Sequence, residues 1–186
     1  KHSAGRRFLG SLTSLDLSSV IWDDDIAVDL FVCCSSLTTL SLHSCRTIGA
    51  STFQAIEASK CQIRSLDCGY ALASCRPADS FGILDCKELQ YLYCSSTLKE
   101  ETIQTWLAQN SKSCGKLKYI GIHWSDNVRD STMTKLLARC GKSLNWLEMG
   151  LCYFLTGKTF DAVASFCPNL RSLDVCSIPC VNDMSR

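Results

Sequence analysis

The chain has 186 residues, of which 20% are charged and 46% hydrophobic, and its formal net charge at pH 7 is +1. This composition is that of a globular protein, and a charge so close to zero provides no long-range field to gather nucleic acid or an anionic membrane. No apolar run approaches the roughly 18 to 20 residues of a transmembrane helix, and the first residues lack the apolar core of a signal peptide. Recognition must therefore depend on local surface chemistry.

One short pattern recurs along the whole chain: apolar, x, x, apolar, x, apolar. Its first positions are Leu12, Leu37, Ile63, Leu89, Leu117, Leu144 and Leu170. The intervals of 25 to 28 residues fall in the range of leucine-rich repeats. Because side chains alternate along a strand, the last two apolar residues of each pattern are predicted to point inward, as with Leu92 and Cys94 or Leu147 and Met149.

Segments with helical spacing of apolar residues follow most of these strands. In chain order they read STFQAIEASKC after the strand at Leu37, EETIQTWLAQN after Leu89, STMTKLLARC after Leu117 and KTFDAVASFC after Leu144. Ser51, Asp130 and Thr156 stand where a side-chain oxygen could cap a helix start. After the strand at Ile63, Pro77 predicts an irregular loop and a helix of only about two turns.

Strand and helix alternating in one direction predict an α/β fold. We expect residues 1–186 to form a single domain, a right-handed horseshoe-shaped solenoid of about seven repeats with parallel strands on its concave face and helices on its convex face. The sequence ends just after its seventh strand and lacks an initiating methionine. Since a solenoid needs terminal caps, we expect it to be part of a longer chain or array.

Fourteen cysteines recur mostly at fixed repeat positions rather than in a disulfide-like pattern. Such placement predicts reduced core thiols that act as small hydrophobic groups, and hence a reducing intracellular compartment. Cytoplasm or nucleus is expected, with the mitochondrial matrix as an alternative. Cys176 and Cys180 have no second pair at zinc spacing, so no metal and no cofactor are predicted.

The segments CSSLTTLSLHSCRTIGASTFQAIEASKC and LNWLEMGLCYFLTGKTFDAVASFC resemble the cysteine-containing class of leucine-rich repeats found in F-box substrate receptors and related mitotic-exit regulators. This resemblance implies a solenoid that recognises proteins, as a substrate receptor of a ubiquitin ligase or as a scaffold. The cysteine or asparagine expected after the strand is replaced at five positions, namely Val20, Ala71, Thr97, Ser125 and Ile178. We therefore expect the turn to be held differently from repeat to repeat.

The residues that alternate with the inward positions carry a concentration of aromatic side chains in the fourth to sixth repeats. Tyrosine and tryptophan dominate binding hot spots, and carboxylates beside them favour a partner with a basic and apolar segment. The predicted partner-binding residues are Asp67, Tyr70, Tyr91, Tyr93, Tyr119, His123, Trp124, Trp146, Glu148 and Asp174. The alternative is that these aromatics only shield the sheet or contact a neighbouring repeat.

Motifs for catalysis are missing from the sequence: there is no glycine-rich phosphate loop, GxSxG, HExxH or paired carboxylate motif, so the protein is predicted not to be an enzyme. Nucleic acid is not expected as a partner outside a large ribonucleoprotein, because carboxylates border the aromatic residues. The basic residues Lys112, Lys116, Lys118, Lys135, Arg139 and Lys142 fall on helices and turns. They leave open a second function, that of a structural subunit of a large mitochondrial or ribonucleoprotein complex that uses convex and edge surfaces.

Overall fold

Seven short strands form one parallel sheet in the computed structural model, which describes residues 8–21, 24–45, 47–59, 61–71, 87–96, 100–109, 113–125 and 127–179. The strands lie side by side in chain order. They are β1 (Ser14–Asp16), β2 (Thr39–Ser41), β3 (Ser65–Asp67), β4 (Tyr91–Tyr93), β5 (Tyr119–Gly121), β6 (Trp146–Glu148) and β7 (Ser172–Asp174). The α/β class and the parallel sheet are confirmed, and both are consistent with a leucine-rich-repeat-like solenoid.

Neighbouring strands pair without any shift in register. Leu40 lies beside Leu66, Leu66 beside Leu92, and Leu92 beside Ile120. The residues before and after these central positions pair in the same way, so that Tyr91 lies beside Tyr119 and Tyr119 beside Trp146. The columns of side chains expected from the repeat are therefore present in the sheet.

Helices connect most of the strands. They are α1 (Asp24–Cys33), α2 (Ala50–Ala58), α3 (Glu100–Gln109), α4 (Asp130–Cys140) and α5 (Gly157–Phe166), with short 3₁₀ helices at Ser113–Lys116 and Gly141–Ser143. The four predicted helices are confirmed to within three residues at each end. Helix α1 was not predicted, because its apolar residues form a nearly continuous run, which does not distinguish a helix from a buried strand. The irregular segment predicted around Pro77 lies outside the described residues.

The core lies between one face of the sheet and the helices. Leu40, Leu92 and Leu147 at strand centres are at most 3% exposed, and they belong to one cluster with helical residues such as Ile103 and Leu136. Leu42, Cys94 and Met149, two positions further along their strands, are also buried. The inward assignment is confirmed, and it leaves the first and third residues of every strand on the opposite face.

The turn after each strand is built in the same way in every repeat. Seven non-glycine residues have positive φ, and each follows its strand at the same offset: Ser19, Ser44, Tyr70, Ser96, Trp124, Leu151 and Ser177. The backbone N–H of each of the first six donates to a carbonyl of the next repeat, as from Ser44 to Gly69 at 2.7 Å and from Trp124 to Gly150 at 3.1 Å. The backbone of the turn is therefore held alike in these repeats, whereas its side-chain support differs as expected: Cys45 and Cys152 donate to a carbonyl of the preceding repeat, and Val20 and Ala71 at the same position have no donor.

Two of the three predicted helix caps are also wrong. Residues Gly49 and Arg129 cap α2 and α4 without a side-chain bond, so Ser51 and Asp130 lie inside their helices, while Thr156 caps α5 by accepting from the Lys158 N–H. Asp130 instead reaches the next repeat, where Thr156 donates its N–H at 2.8 Å. Its carboxylate therefore links consecutive helix starts rather than capping its own helix.

The same link occurs one repeat earlier. Glu100, at the start of α3, accepts from the Arg129 N–H at 3.0 Å and from the Thr132 hydroxyl. Asp130 receives the matching bonds, from the Thr156 N–H and hydroxyl and from the Thr159 hydroxyl at 2.6 Å. An acidic residue in the first turn of one helix thus holds the start of the next, which we call the acid ladder.

Ten cysteines among the described residues are free thiols, and most are buried. Two of them, Cys45 and Cys152, donate to the carbonyls of Leu17 and Ile122 in the preceding repeat. Burial raises the pKa of the Cys34 and Cys167 thiols, so the neutral form is favoured. Within the described part of the chain, no helix has the length and apolar character needed to cross a membrane.

Candidate functional site

The face of the sheet opposite the helices, formed by the first and third residues of each strand and the turn residues that follow, is called here the open face. Tyr91, Trp124 and Trp146 on this face are 46%, 46% and 47% exposed. Exposed rings of this size are the usual anchors of protein interfaces. The open face therefore contains the aromatic surface predicted from the sequence.

Three rings form a continuous row across β4, β5 and β6. The centroids of Tyr91 and Tyr119 are 6.5 Å apart, and those of Tyr119 and Trp146 are 5.9 Å apart in an edge-to-face arrangement. Tyr119 is half-buried, and its hydroxyl donates to Glu148 Oε2 at 2.7 Å. Burial together with this carboxylate raises the pKa of Tyr119 well above its usual range, so the central ring of the row is held as a neutral donor.

Tyr93 packs differently from the rings of the row. Its ring passes so close to Gly69 and Gly121 that a Cβ on either would lie within 3.0 Å of a ring atom. It also stacks on His43 with the ring planes 21° apart and the centroids 6.2 Å apart. Tyr93 thus lies flat between two glycines of neighbouring repeats, where it serves packing as much as contact with a partner.

A second aromatic group lies at the turns. Tyr70 and Trp124, both in the left-handed conformation, meet edge to face with centroids 6.2 Å apart, and His43 meets Tyr70 at 5.5 Å. Because the turn ladder fixes these backbones, the two aromatic side chains are directed to one edge of the open face. This places them beside the row rather than within it.

The carboxylates predicted to attract a basic partner have structural bonds as well. Asp67 and Asp174 accept the backbone N–H two residues further on, from Gly69 and Cys176, each at 2.9 Å, as Asp16 does in the first repeat. The bond from the Cys176 N–H is the main reason that the pKa of Asp174 lies below its ordinary value. Each of these carboxylates thus helps to close the turn that follows its strand.

Two histidines lie between these carboxylates. His43 Nδ1 is 3.2 Å from Asp67 Oδ1, and His123 lies between Glu148 Oε2, 3.7 Å from its Nδ1, and Asp174 Oδ2, 3.3 Å from its Nε2. Among the described residues, His123 Nδ1 is a buried atom with no hydrogen-bond partner. The negative charge of the open face is therefore concentrated around His123, at the C-terminal side of the aromatic row.

The structure brings the ten predicted residues into three adjacent groups. Tyr91, Tyr119 and Trp146 form the row, and Glu148 and Asp174 enclose His123. Tyr70 and Tyr93 contact His43, and Trp124 joins this second group through Tyr70. Asp67 belongs to the second group through His43. What the sequence prediction missed was the part played by His43 and by the glycines of the turn columns, Gly69, Gly121 and Gly150, which make room for the rings. The sequence signal that could have identified these residues is their position, because they occupy the same columns of the repeat as the aromatic residues.

Comparison with known proteins supports the fold and gives one remote relative. No protein-family model matches the chain. The F-box protein SKIP1 of Arabidopsis thaliana is 36% identical over 67 residues, which is 36% of this chain and 22% of the relative. A chain in the crystal structure of the yeast Rad7 and Elc1 complex aligns with a TM-score of 0.50 at 16% identity, over 96% of this chain and 60% of that one. The chain thus spans about a fifth of the relative and is similar to both in part only.

Proposed function

We propose that this chain is a non-catalytic protein-recognition module that binds a protein partner on its open face, as a substrate receptor or as a scaffold. The observation that carries the proposal is the row of Tyr91, Tyr119 and Trp146, in which two rings remain nearly half exposed on a rigid sheet. Aromatic side chains preorganised in this way bury large area while losing little conformational entropy on binding.

The partner chemistry follows from the charges beside the row. Asp67, Glu148 and Asp174 lie on the same face, and the structure describes no lysine or arginine at the first or third position of any strand. A segment with arginine or lysine next to apolar residues would place its charges against these carboxylates and its apolar groups on the rings. Phosphate groups would be repelled by the same carboxylates, which disfavours nucleic acid.

The likeness to an F-box protein supports the substrate-receptor form of the proposal. F-box protein SKIP1 matches over 67 residues at 36% identity. In this reading, the chain supplies the repeats that select a protein for a ubiquitin ligase, and it works in the reducing environment of the cytoplasm or nucleus, where its buried thiols stay unpaired. On this proposal the open face selects the substrate, and contact with the ligase would be made by other surfaces.

An assembly role in a larger complex is the second candidate. It is favoured by exposed apolar residues at the N-terminal end of the solenoid, where Ile21 is 87%, Ile26 60% and Val32 72% exposed. Apolar groups gathered at one end indicate contact with another protein or another part of the same chain. In that case partners would dock on the helical and edge surfaces.

A capture experiment with three variants separates the two candidates. Wild-type chain and the triple variant Tyr91→Ala, Trp124→Ala, Trp146→Ala would each be used to capture partners from lysate, with mass spectrometry to identify them. The matched control is Tyr153→Ala with Phe154→Ala, which removes two rings that are 51% and 53% exposed outside the strands. A third variant, Ile21→Ser with Ile26→Ser and Val32→Ser, tests the N-terminal end.

We expect the partners to be lost with the triple variant and kept with the control, and cross-links to the partner to map to the open face. Binding should also weaken as salt is raised, because the carboxylates contribute through exposed charge. If the triple variant captured the same partners as the wild type, the open face would not be the binding site. Loss of partners in the N-terminal variant alone would favour the assembly role.

A further inference from the structure

We propose that His123, Asp174 and Cys176 form a binding site for a divalent transition metal, with Zn²⁺ as the ion that best fits their donor atoms. One imidazole nitrogen, one carboxylate oxygen and one thiol sulfur lie within 4.8 Å of one another. Nitrogen and sulfur ligands together are typical of zinc, whereas magnesium and calcium take oxygen alone. This proposal does not depend on the proposed protein recognition.

Two of the three distances between the donor atoms are close to those of a tetrahedral site, and the third is at most 4.8 Å. With zinc to ligand distances near 2.1 Å for N and O and 2.3 Å for S, two ligands are separated by about 3.4 Å for N and O and about 3.6 Å for N and S. His123 Nε2 is 3.3 Å from Asp174 Oδ2 and 3.9 Å from Cys176 Sγ. Small side-chain rotations would therefore suffice to bring all three atoms onto one ion.

A glycine makes this convergence possible. The histidine and the cysteine are two repeats apart, and Gly150 stands between them in the same column of turn residues. A Cβ at Gly150 would lie 2.4 Å from Cys176 Sγ and 2.8 Å from His123 Nε2. Any larger residue would occupy the space through which the two donor atoms approach each other.

A carboxylate lies near the second nitrogen of the imidazole. His123 Nδ1 is buried without a hydrogen-bond partner, and the nearest carboxylate oxygen, Glu148 Oε2, is 3.7 Å away. A metal on Nε2 requires the other nitrogen to carry the proton, and metal-bound histidines almost always donate that proton to a carboxylate or a carbonyl. Glu148 is positioned to accept it after a small movement of the ring toward the carboxylate.

Three protein ligands leave a fourth position for water. The side chains of His123 and Glu148 are 20% and 18% exposed, whereas Asp174 is 41% exposed and Cys176 is exposed. The site is thus closed toward the sheet and open toward solvent on the open face. Binding displaces the thiol proton of Cys176 to solvent, so that the thiolate is the ligand.

Metal titration of the reduced, metal-free chain tests the proposal. Zn²⁺ affinity and stoichiometry would be measured by competition with a chromophoric chelator, and Co²⁺ would report thiolate ligation through its sulfur-to-metal charge-transfer absorption. We expect one equivalent of Co²⁺ to give this absorption in the wild type. The variants Cys176→Ser and His123→Gln should lose it, and Asp174→Asn should weaken binding.

Four further variants test the geometry of the site and control for binding elsewhere. Gly150→Ala keeps every ligand but fills the space between them, so it should weaken binding at least tenfold, whereas Gly157→Ala, with no atom within 4 Å of the added Cβ, should not. Glu148→Gln should weaken binding by about 10- to 100-fold, as expected for an outer-sphere partner. Cys61→Ser is the control for binding at other thiols, since Cys61 is only partly buried and far along the chain.

Melting temperatures and circular dichroism would show that each variant is folded. Absence of stoichiometric binding would overturn the proposal. It would also be overturned by binding that survives in both Cys176→Ser and His123→Gln but falls in Cys61→Ser, which would place the ion at other cysteines. Equal affinity in Gly150→Ala and the wild type would show that the ligands do not converge as proposed.

Discussion

The two faces of the sheet follow different rules although they belong to the same strands. Toward the core, the central position of every strand is aliphatic: Leu15, Leu40, Leu66, Leu92, Ile120, Leu147 and Leu173. Toward the open face, the position before it changes from Ser or Thr in β1 to β3 to Tyr or Trp in β4 to β6. Each core side chain must fill the same space between sheet and helices, whereas no such limit applies on the solvent side. The core positions therefore specify the fold, and the open face is free to specify a partner.

The largest effect is expected from the core face. Replacing Leu147, which is 0% exposed, by Ala should lower the free energy of unfolding by about 2 to 5 kcal/mol, because it removes buried apolar area and leaves a cavity. Leu173 in the last strand is 38% exposed, so Leu173→Ala should cost clearly less. Urea denaturation of both variants measures the difference, and equal losses would contradict the burial gradient along the sheet.

An intermediate effect is expected at the acid ladder on the helical side. Asp130→Asn removes charged acceptors from Thr156 and Thr159, and we expect a loss of about 1 kcal/mol because the carboxylate is only partly buried. Asp161→Asn, at an exposed position in the same region, should be near neutral. Comparison of the two variants by urea denaturation separates the ladder from a general effect of charge.

The Asp130 effect should depend on pH. Partial burial alone would raise the pKa of Asp130, but the bonds from Thr156 and Thr159 outweigh it and lower the pKa below its ordinary value. The stability contributed by a carboxyl with a lowered pKa is fully present above its pKa in the unfolded chain, about 3.9. It is lost as the pH falls through the lower pKa of the folded state. The stability difference between wild type and Asp130→Asn should thus be constant from pH 5 to 7 and shrink below about pH 4. A difference that grew on acidification would refute this linkage.

The smallest effects are expected on the open face, and they should not be uniform. Trp146→Ser should change the free energy of unfolding by no more than about 0.5 kcal/mol, because the ring is nearly half exposed. The outward position of Tyr93 in β4 would by itself suggest the same for Tyr93→Ser. Since the Tyr93 ring lies between Gly69 and Gly121 and stacks on His43, we now expect this change to cost about 1 kcal/mol or more. Thermal melts of both variants test this, and identical melting temperatures would show that Tyr93 packs no more tightly than Trp146.

Prediction from sequence worked where a repeat imposes one geometry on many residues. The register of the sheet, the inward leucines and the extent of four helices followed from spacing alone. It failed where a bond crosses between repeats, as with Asp130, whose partners are 26 and 29 residues away and whose local position resembles a helix cap. Helix propensity reflects only the residue's own turn of helix. It therefore cannot show that a side chain bonds to the start of the neighbouring helix.

The candidate site shows the same division. The repeat places Tyr91, Tyr119 and Trp146 at the same position of consecutive strands, and it places His123, Gly150 and Cys176 at the same position of consecutive turns. The roles within a column were not predicted, because they depend on which rings tilt toward each other and on which gaps the glycines leave. The sequence also suggested that the turn is held differently where the cysteine after the strand is replaced. Backbone bonds to the next repeat hold the first six turns alike, and Cys45 and Cys152 add a side-chain bond.

The repeat, its period and the two faces of each strand can be read from the amino-acid pattern, because hydrophobic periodicity is a local and repeated signal. Contacts between side chains of different repeats become visible only in the folded chain. Examples are Tyr93 between two glycines, Glu100 and Asp130 at the next helix start, and His123 beside Asp174 and Cys176. These contacts join residues one or two repeats apart, where a few ångströms of strand spacing and side-chain rotation determine whether two groups touch.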